Sequence, residues 1–200
     1  IKDRHPTLTI DDKGIDLQPT TKTSIWRNGQ TTYVGFLNEP EKMYSRIKAS
    51  DNISGKMLFK DKGYLYDVKA KKYIGRISGK EQIRTTLTPS IANIYAILPY
   101  KVGNLEIKTD KKRYNAGDII KAEVKVKASS KELDNHILYI EVYGADKKKI
   151  NYYTQRVILE KGKGEIELPT AFNDNTGVWS LIFRDVASGV SKKVNITRVK

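Results

Sequence analysis

The residue types that do hydrolytic chemistry are all present except cysteine, so their spacing decides what they can do. A serine nucleophile needs a shaped turn such as G-x-S-x-G that lifts its hydroxyl towards an imidazole, and no such pattern occurs. The two histidines, His5 and His136, fall in different halves of the chain. Neither has a neighbour at metal-ligand spacing, and a zinc site needs about three or four converging ligands. His136 opens an apolar strand, where a turn-capping or edge role is expected. Asn173-Asp174-Asn175 offers oxygens to calcium, but too few for the roughly six to eight that ion takes. With no cysteine, a thiol nucleophile, a disulfide and every thiolate metal site are excluded.

Paired carboxylates for glycoside hydrolysis can come from distant positions. The plausible acids, Asp67, Asp118, Asp174 and Asp185, instead sit in or beside turns, where Asx side chains accept backbone N–H bonds. We therefore assign no catalytic residue, no metal and no cofactor, and expect a chain that is not an enzyme by itself. Among aromatic residues, Trp179 shares parity with Leu181 and Phe183 and belongs to a core. Tyr139 and Tyr143 lie opposite the core parity of their strand and Tyr152 follows just after it, so these three are the candidates for stacking on a sugar ring.

Lys and Arg number 37 against 23 Asp and Glu, a formal net charge of +14. Such a surface attracts polyanions if its charges converge. The clusters Lys71-Lys72, Lys111 to Arg113, Lys147 to Lys149 and Lys192-Lys193 fall instead at turns and strand ends across both halves. A solvated surface, with lysines guarding sheet edges, is the simpler reading. Nucleic acid is not an expected partner, and polyanion binding stays as the last alternative.

The elements that must position these residues are strands. Ile120, Ala122, Val124, Val126 and Ala128 alternate with Lys121, Glu123, Lys125 and Lys127, the period of a half-buried strand. Leu138, Ile140 and Val142, then Val157 with Leu159, Ile166 with Leu168, the Trp179 run, and Val190, Val194 and Ile196 repeat it. With Leu105 to Thr109, that makes about seven strands, separated by turn residues and with no room for a long helix. In the first half, Asn28-Gly29 predicts a type I′ hairpin ahead of the alternating run Thr32 to Leu37. Tyr64 to Val68 and Tyr73 to Ile77 form a second hairpin, and Ile83 to Leu87 and Ile91 to Leu98 close the domain. A short helix with Met43 and Ile47 on one face fits Pro40 to Asp51.

The expectation is an all-β chain of two consecutive antiparallel β-sandwich domains, 1–102 and 103–200, the second of immunoglobulin or fibronectin-III type. Tyr100 to Asn104 reads as the linker. No apolar run approaches the roughly 20 residues of a membrane span. The sequence opens on Ile1 without a methionine, which we read as an excised or processed piece.

Tyr64-Leu65-Tyr66-Asp67-Val68, Lys72-Tyr73-Ile74-Gly75-Arg76 and Ile94-Tyr95-Ala96-Ile97-Leu98-Pro99-Tyr100 resemble the β-domain that follows the catalytic region in bacterial β-galactosidase-like and uncharacterised glycosidase-like proteins. Tyr152-Tyr153, the run Ala171 to Trp179 and Arg184 to Gly189 look like the terminal immunoglobulin-like domain of the same proteins. Thr109-Asp110-Lys111 with Tyr114 to Asp118 is similar to the opening strand of macroglobulin-like and bacterial surface immunoglobulin-like domains. The first resemblance implies an accessory role beside an upstream catalytic domain of the same full-length protein, in a secreted, periplasmic or cell-surface setting. The second implies a structural or adhesive module, and carbohydrate is the alternative partner, through the stacking tyrosines.

Overall fold

The computed structural model describes residues 7–9, 21–38 and 52–200. His5 and the helix expected over 40–51 lie outside these residues. The chain divides between Pro99 and Tyr100 into two compact units, and both are β-sandwiches.

Unit 1 holds β1 (Thr7–Thr9), β2 (Thr21–Asn28), β3 (Thr31–Asn38), β4 (Ile53–Leu58), β5 (Gly63–Asp67), β6 (Lys72–Ile77), β7 (Gln82–Leu87) and β8 (Asn93–Leu98). They form a three-stranded sheet, β1-β4-β7, and a five-stranded sheet, β2-β3-β8-β5-β6. The core lies between them: Val34, Phe36, Leu65 and Ile97 from one sheet meet Met57 and Leu87 from the other. Tyr95 joins this core with its ring edge-on to Phe36 and Phe59. Its hydroxyl is 2.7 Å from Thr85 Oγ1, which satisfies the one polar atom the ring brings in.

The β2–β3 hairpin forms, but its turn sits one residue later than the sequence suggested. Asn28 pairs with Thr31 as the last strand residue, leaving Gly29 and Gln30 as the central pair. Of these two only Gly29 has positive φ, at 60°. Glycine at the first central position is the type II′ pattern, which also matches strand twist, so Asn28 stays in the ladder. The β5–β6 hairpin forms as expected, closed by an Ala70 N–H bond to Asp67 Oδ1 at 2.8 Å.

Unit 2 holds β9 (Val102–Thr109), β10 (Arg113–Tyr114), β11 (Ile119–Ala128), β12 (His136–Tyr143), β13 (Gln155–Leu159), β14 (Lys163–Pro169), β15 (Gly177–Asp185) and β16 (Ser191–Arg198). A three-stranded sheet, β14-β11-β9, faces a five-stranded sheet, β10-β16-β15-β12-β13. This is an immunoglobulin or fibronectin-III-like arrangement. Along β11 exposed and buried residues alternate as the lysine pattern requires, with Ile120, Ala122, Val124 and Val126 inside. Trp179, Leu181 and Phe183 face them from β15. The one strand beyond the seven expected is β10, a two-residue piece running parallel to β16.

Tyr100 to Asn104 is not a linker. Tyr100 is buried and β9 begins at Val102. The Tyr100 hydroxyl accepts the Asp134 N–H at 2.9 Å and reaches His136 Nε2 at 3.0 Å, so the segment is tied into unit 2 by its own side chain.

Candidate functional site

The serine, histidine and aspartate that sequence spacing kept apart do meet in unit 2, in an order that is not catalytic. His136 begins β12 and Asp185 ends β15, its neighbour in the sheet, which brings residues 49 positions apart to 2.7 Å between Nδ1 and Oδ1. Both side chains are buried, at 2% and 0% exposure. The Ser188 hydroxyl and the Ser188 N–H donate to the other oxygen of the same carboxylate, and Val190 N–H caps the Ser188 hydroxyl at 3.2 Å. A carboxylate accepts, so His136 Nδ1 carries its proton. The Tyr100 hydroxyl, already accepting from Asp134, is the hydrogen-bond partner of Nε2.

In a hydrolytic triad the imidazole stands between serine and carboxylate. Here Asp185 stands between Ser188 and His136, and each imidazole nitrogen is occupied. The cluster holds the β15–β16 turn, so of the turn-capping and edge roles expected for His136 it is the first that fits: the residue is buried and β12 lies inside the sheet. The remaining turn acids accept backbone N–H groups of their own turns, from three residues back and not from the two residues on of an Asx turn. Asp118 accepts Asn115 N–H at 2.9 Å and Asp174 accepts Ala171 N–H at 2.8 Å. Glu81 gathers the N–H groups of Ser78, Gly79 and Lys80 together with the Ser78 hydroxyl. Those donors, the Ser78 hydroxyl first, hold its carboxyl down at about 2.

In the Asn173-Asp174-Asn175 run, both carboxylate oxygens of Asp174 accept hydrogen bonds. One of its oxygens accepts the Tyr152 hydroxyl at 3.0 Å and the other the Tyr153 hydroxyl and Ala171 N–H. Burial, then the Asp174 acceptor, pushes the Tyr153 phenol up to about 12 and raises that of Tyr152. Among the described residues no group of three or more His, Asp or Glu side chains gathers in metal-binding fashion. Beside this knot lies an open cleft of about 440 Å³ lined by Lys148, Asn151, Tyr152, Asn173 and Asn175 among others.

The three candidate stacking tyrosines occupy different settings. Tyr152 sits on a 3-10 turn, Asn151–Tyr153, with 73% of its surface exposed. Tyr139 and Tyr143 are half-buried on the outer face of β12. The Tyr139 ring has Arg184, Arg156 and Lys149 at 5.0, 5.3 and 5.5 Å from its centre. Tyr143 pairs with Ser180 on one side and bridges to Lys149 on the other.

A second aromatic cluster, open at its Trp26 end and buried at Tyr66 and Ala96, escaped the sequence reading. On the outer face of the unit 1 five-stranded sheet, register aligns Trp26, Tyr33, Ala96, Tyr66 and Tyr73 in one row across all five strands. Tyr66 and Tyr73 meet at 5.2 Å, Tyr64 lies 6.4 Å from Tyr73, and Arg76 sits over the Tyr64 ring. At the β2 edge, Trp26 is 54% exposed. Its indole lies on Gly35 so closely that a Cβ there would meet the ring at 3.0 Å. Tyr64 and Tyr66, at period two around buried Leu65, were the signal.

No family model matches the chain, and no curated protein matches it. Similar solved structures include a mutant β-glucosidase from Listeria innocua in complex with laminaribiose, 14% identical with a TM-score of 0.35, covering 48% of this chain and 16% of that one. A Salmonella alpha-2-macroglobulin mutant is 10% identical with a TM-score of 0.43, covering 90% of this chain and 12% of that one. The Yersinia pseudotuberculosis adhesin InvE is 15% identical with a TM-score of 0.42, covering 90% of this chain and 59% of that one. The chain thus spans less than two thirds of the length of each.

Proposed function

We propose that this chain is a non-catalytic accessory module of a larger glycoside-hydrolase-like protein outside the cytoplasm, its two sandwiches packing on or orienting a catalytic domain. The observation that carries this reading is the saturation of His136, Asp185 and Ser188. The serine, histidine and aspartate that acyl-transfer chemistry would need are buried and committed to one another in holding a turn, and the turn carboxylates Asp118 and Asp174 are bonded to backbone N–H groups. The resemblance of the tyrosine-rich strands and of the Ala171 to Trp179 run to the C-terminal sandwiches of glycosidase-like proteins supports the same assignment. The purified chain, incubated with a panel of aryl glycosides beside a heat-killed control, is expected to release no aglycone. Release above the control overturns the reading.

Trp26 favours a second reading, a carbohydrate-binding or adhesive module. A half-exposed indole laid flat against a sheet offers an apolar face with a polar edge, the form in which aromatic rings take up sugars. Electrophoresis through gels containing laminarin, xylan or hydroxyethylcellulose tests it. Retardation that Trp26→Ala abolishes supports this reading. Migration unaffected by every polysaccharide, or retardation that the substitution leaves intact, removes Trp26 as its basis.

A further inference from the structure

The outer face of the unit 2 five-stranded sheet concentrates cations that the sequence scatters. Register places Arg156, Tyr139 and Arg184 side by side on β13, β12 and β15. The next row on the same face sets Glu141, Ile182 and Lys193 across β12, β15 and β16. Lys149 reaches in from beyond β12, its Nζ 2.7 Å from Glu141 Oε1 and 3.3 Å from the Tyr139 hydroxyl. Arg184 Nη2 is 3.4 Å from the other Glu141 oxygen. Arg156 and Lys193 are exposed, and among the described residues neither has a carboxylate within ion-pair distance. Arg156, Arg184, Lys149 and Lys193 therefore face a single carboxylate.

The opposite face of the sandwich differs in kind. There, carboxylates are interleaved with the cations: Lys121 and Glu167 are at 2.8 Å, Lys127 and Glu106 at 3.0 Å, and Lys108 lies opposite Glu123, while Lys125 faces Lys163 and Glu123 also faces Glu165. One sheet is close to balanced and the other is left basic, so the net charge of the chain is not spread evenly over unit 2.

We propose that the basic face binds an anionic polysaccharide, carboxylated or sulfated, through Arg156, Arg184, Lys149 and Lys193. The guanidinium groups of Arg156, exposed, and Arg184, 18% exposed and held by Glu141, are attached two strand spacings apart, about 10 Å, and flank Tyr139 along a line that crosses the strands. Such forks match carboxylate and sulfate oxygens two at a time. A linear polymer with repeating acidic groups can lie along that line. Single-stranded nucleic acid fits it less well, because binding there relies on bases stacking on open aromatic rings. The ring at the centre of this patch is capped by Lys149, Arg156 and Arg184. This inference goes beyond the accessory role and holds whatever domain the sandwiches accompany.

The test compares two charge-matched double variants of the full chain at low salt. Arg156→Gln with Lys193→Gln changes exposed side chains on the basic face. Lys125→Gln with Lys163→Gln removes the same charge from exposed positions on the opposite sheet. The probes are heparin and polygalacturonate, with neutral dextran and a thymidine oligonucleotide beside them, and thermal melts verify that both variants keep the parent fold. The first variant is expected to lose about tenfold or more in affinity for both acidic polysaccharides, and the second less than about twofold, with dextran unbound. Equal losses in the two variants overturn the assignment in favour of diffuse charge. Absence of polysaccharide binding by the parent, or oligonucleotide binding as tight as that of the polysaccharides, overturns the proposed ligand.

Discussion

The guanidinium of Arg198 lies 5.4 Å from the centre of the Trp179 ring, with both groups buried in unit 2. It donates to the carbonyls of Asn115 and, at 3.0 Å, Ala171. A residue at the end of β16 thus fixes two loops against the indole that fills the core. Arg198→Leu keeps the bulk but strands two carbonyls, and a cost of about 2–4 kcal/mol is expected. Urea unfolding with an unchanged slope would report it. Arg198→Lys is expected to recover less than half, because a point charge cannot serve two carbonyls and lie flat on a ring.

Asp185 accepts from His136 and twice from Ser188. Asp185→Ala leaves those donors buried without an acceptor, and a loss of about 3–5 kcal/mol is expected in the same urea measurement. Ser188→Ala removes one donor and its own bond, and should cost nearer 1 kcal/mol. A larger cost for the serine than for the aspartate would make Ser188, and not Asp185, the organiser of the β15–β16 turn.

Tyr114 and Tyr153 set the alkaline limit. Burial and the Asp110 carboxylate push the Tyr114 phenol up to about 12, and Tyr153 stands at about 12 beside Asp174. Unfolded tyrosine titrates near 10. Between these values the unfolded state binds fewer protons than the folded one, so the contribution of both residues is complete below about pH 10 and falls as pH rises towards 12. Melting temperature should drop across that window, less steeply in Tyr114→Phe and Tyr153→Phe. Absorbance near 295 nm should show Tyr114 and Tyr153 ionising late, alongside Tyr95 and Tyr152, whose phenols burial also raises.

Gly35 seats Trp26. Gly35→Ala places a methyl carbon 3.0 Å from the indole, and the exposed ring rather than the strand is expected to give way. Iodide quenching of tryptophan emission should rise, while Trp179, wholly buried, stays protected. Stability should change by less than about 1 kcal/mol. Unchanged quenching would mean that the indole does not rest on this glycine.

Strand β11 was legible in the sequence because its two faces meet opposite solvents, so that Ile120 to Val126 record burial residue by residue. Strand β4 was not: Ser54, Gly55 and Lys56 break any apolar period, and Gly55 with Met57 occupies the buried positions. At two residues, β10 has no period to read. The linker was misplaced because local punctuation at Pro99 does not reveal that Tyr100 bonds His136, 36 positions away. The cluster at Asp185 lay hidden for the same reason, although the turn roles of Asp118 and Asp174 are local and were readable. The aromatic row of unit 1 needs the register of five strands, together with the bulge between Leu65 and Tyr66 that sets Tyr73 opposite Tyr66.

The short parallel pairing of β10 with β16 has a mechanical consequence. Thr197 N–H bonds Lys112 O at 2.8 Å and Val199 N–H bonds Tyr114 O at 2.9 Å, with the Arg198 guanidinium locked onto Asn115 between them. When parallel strands are drawn in opposite directions along their length, such bonds are sheared together, whereas a hairpin pulled at its open end unzips bond by bond. Traction between β10 and β16 along their length therefore loads both backbone bonds at once.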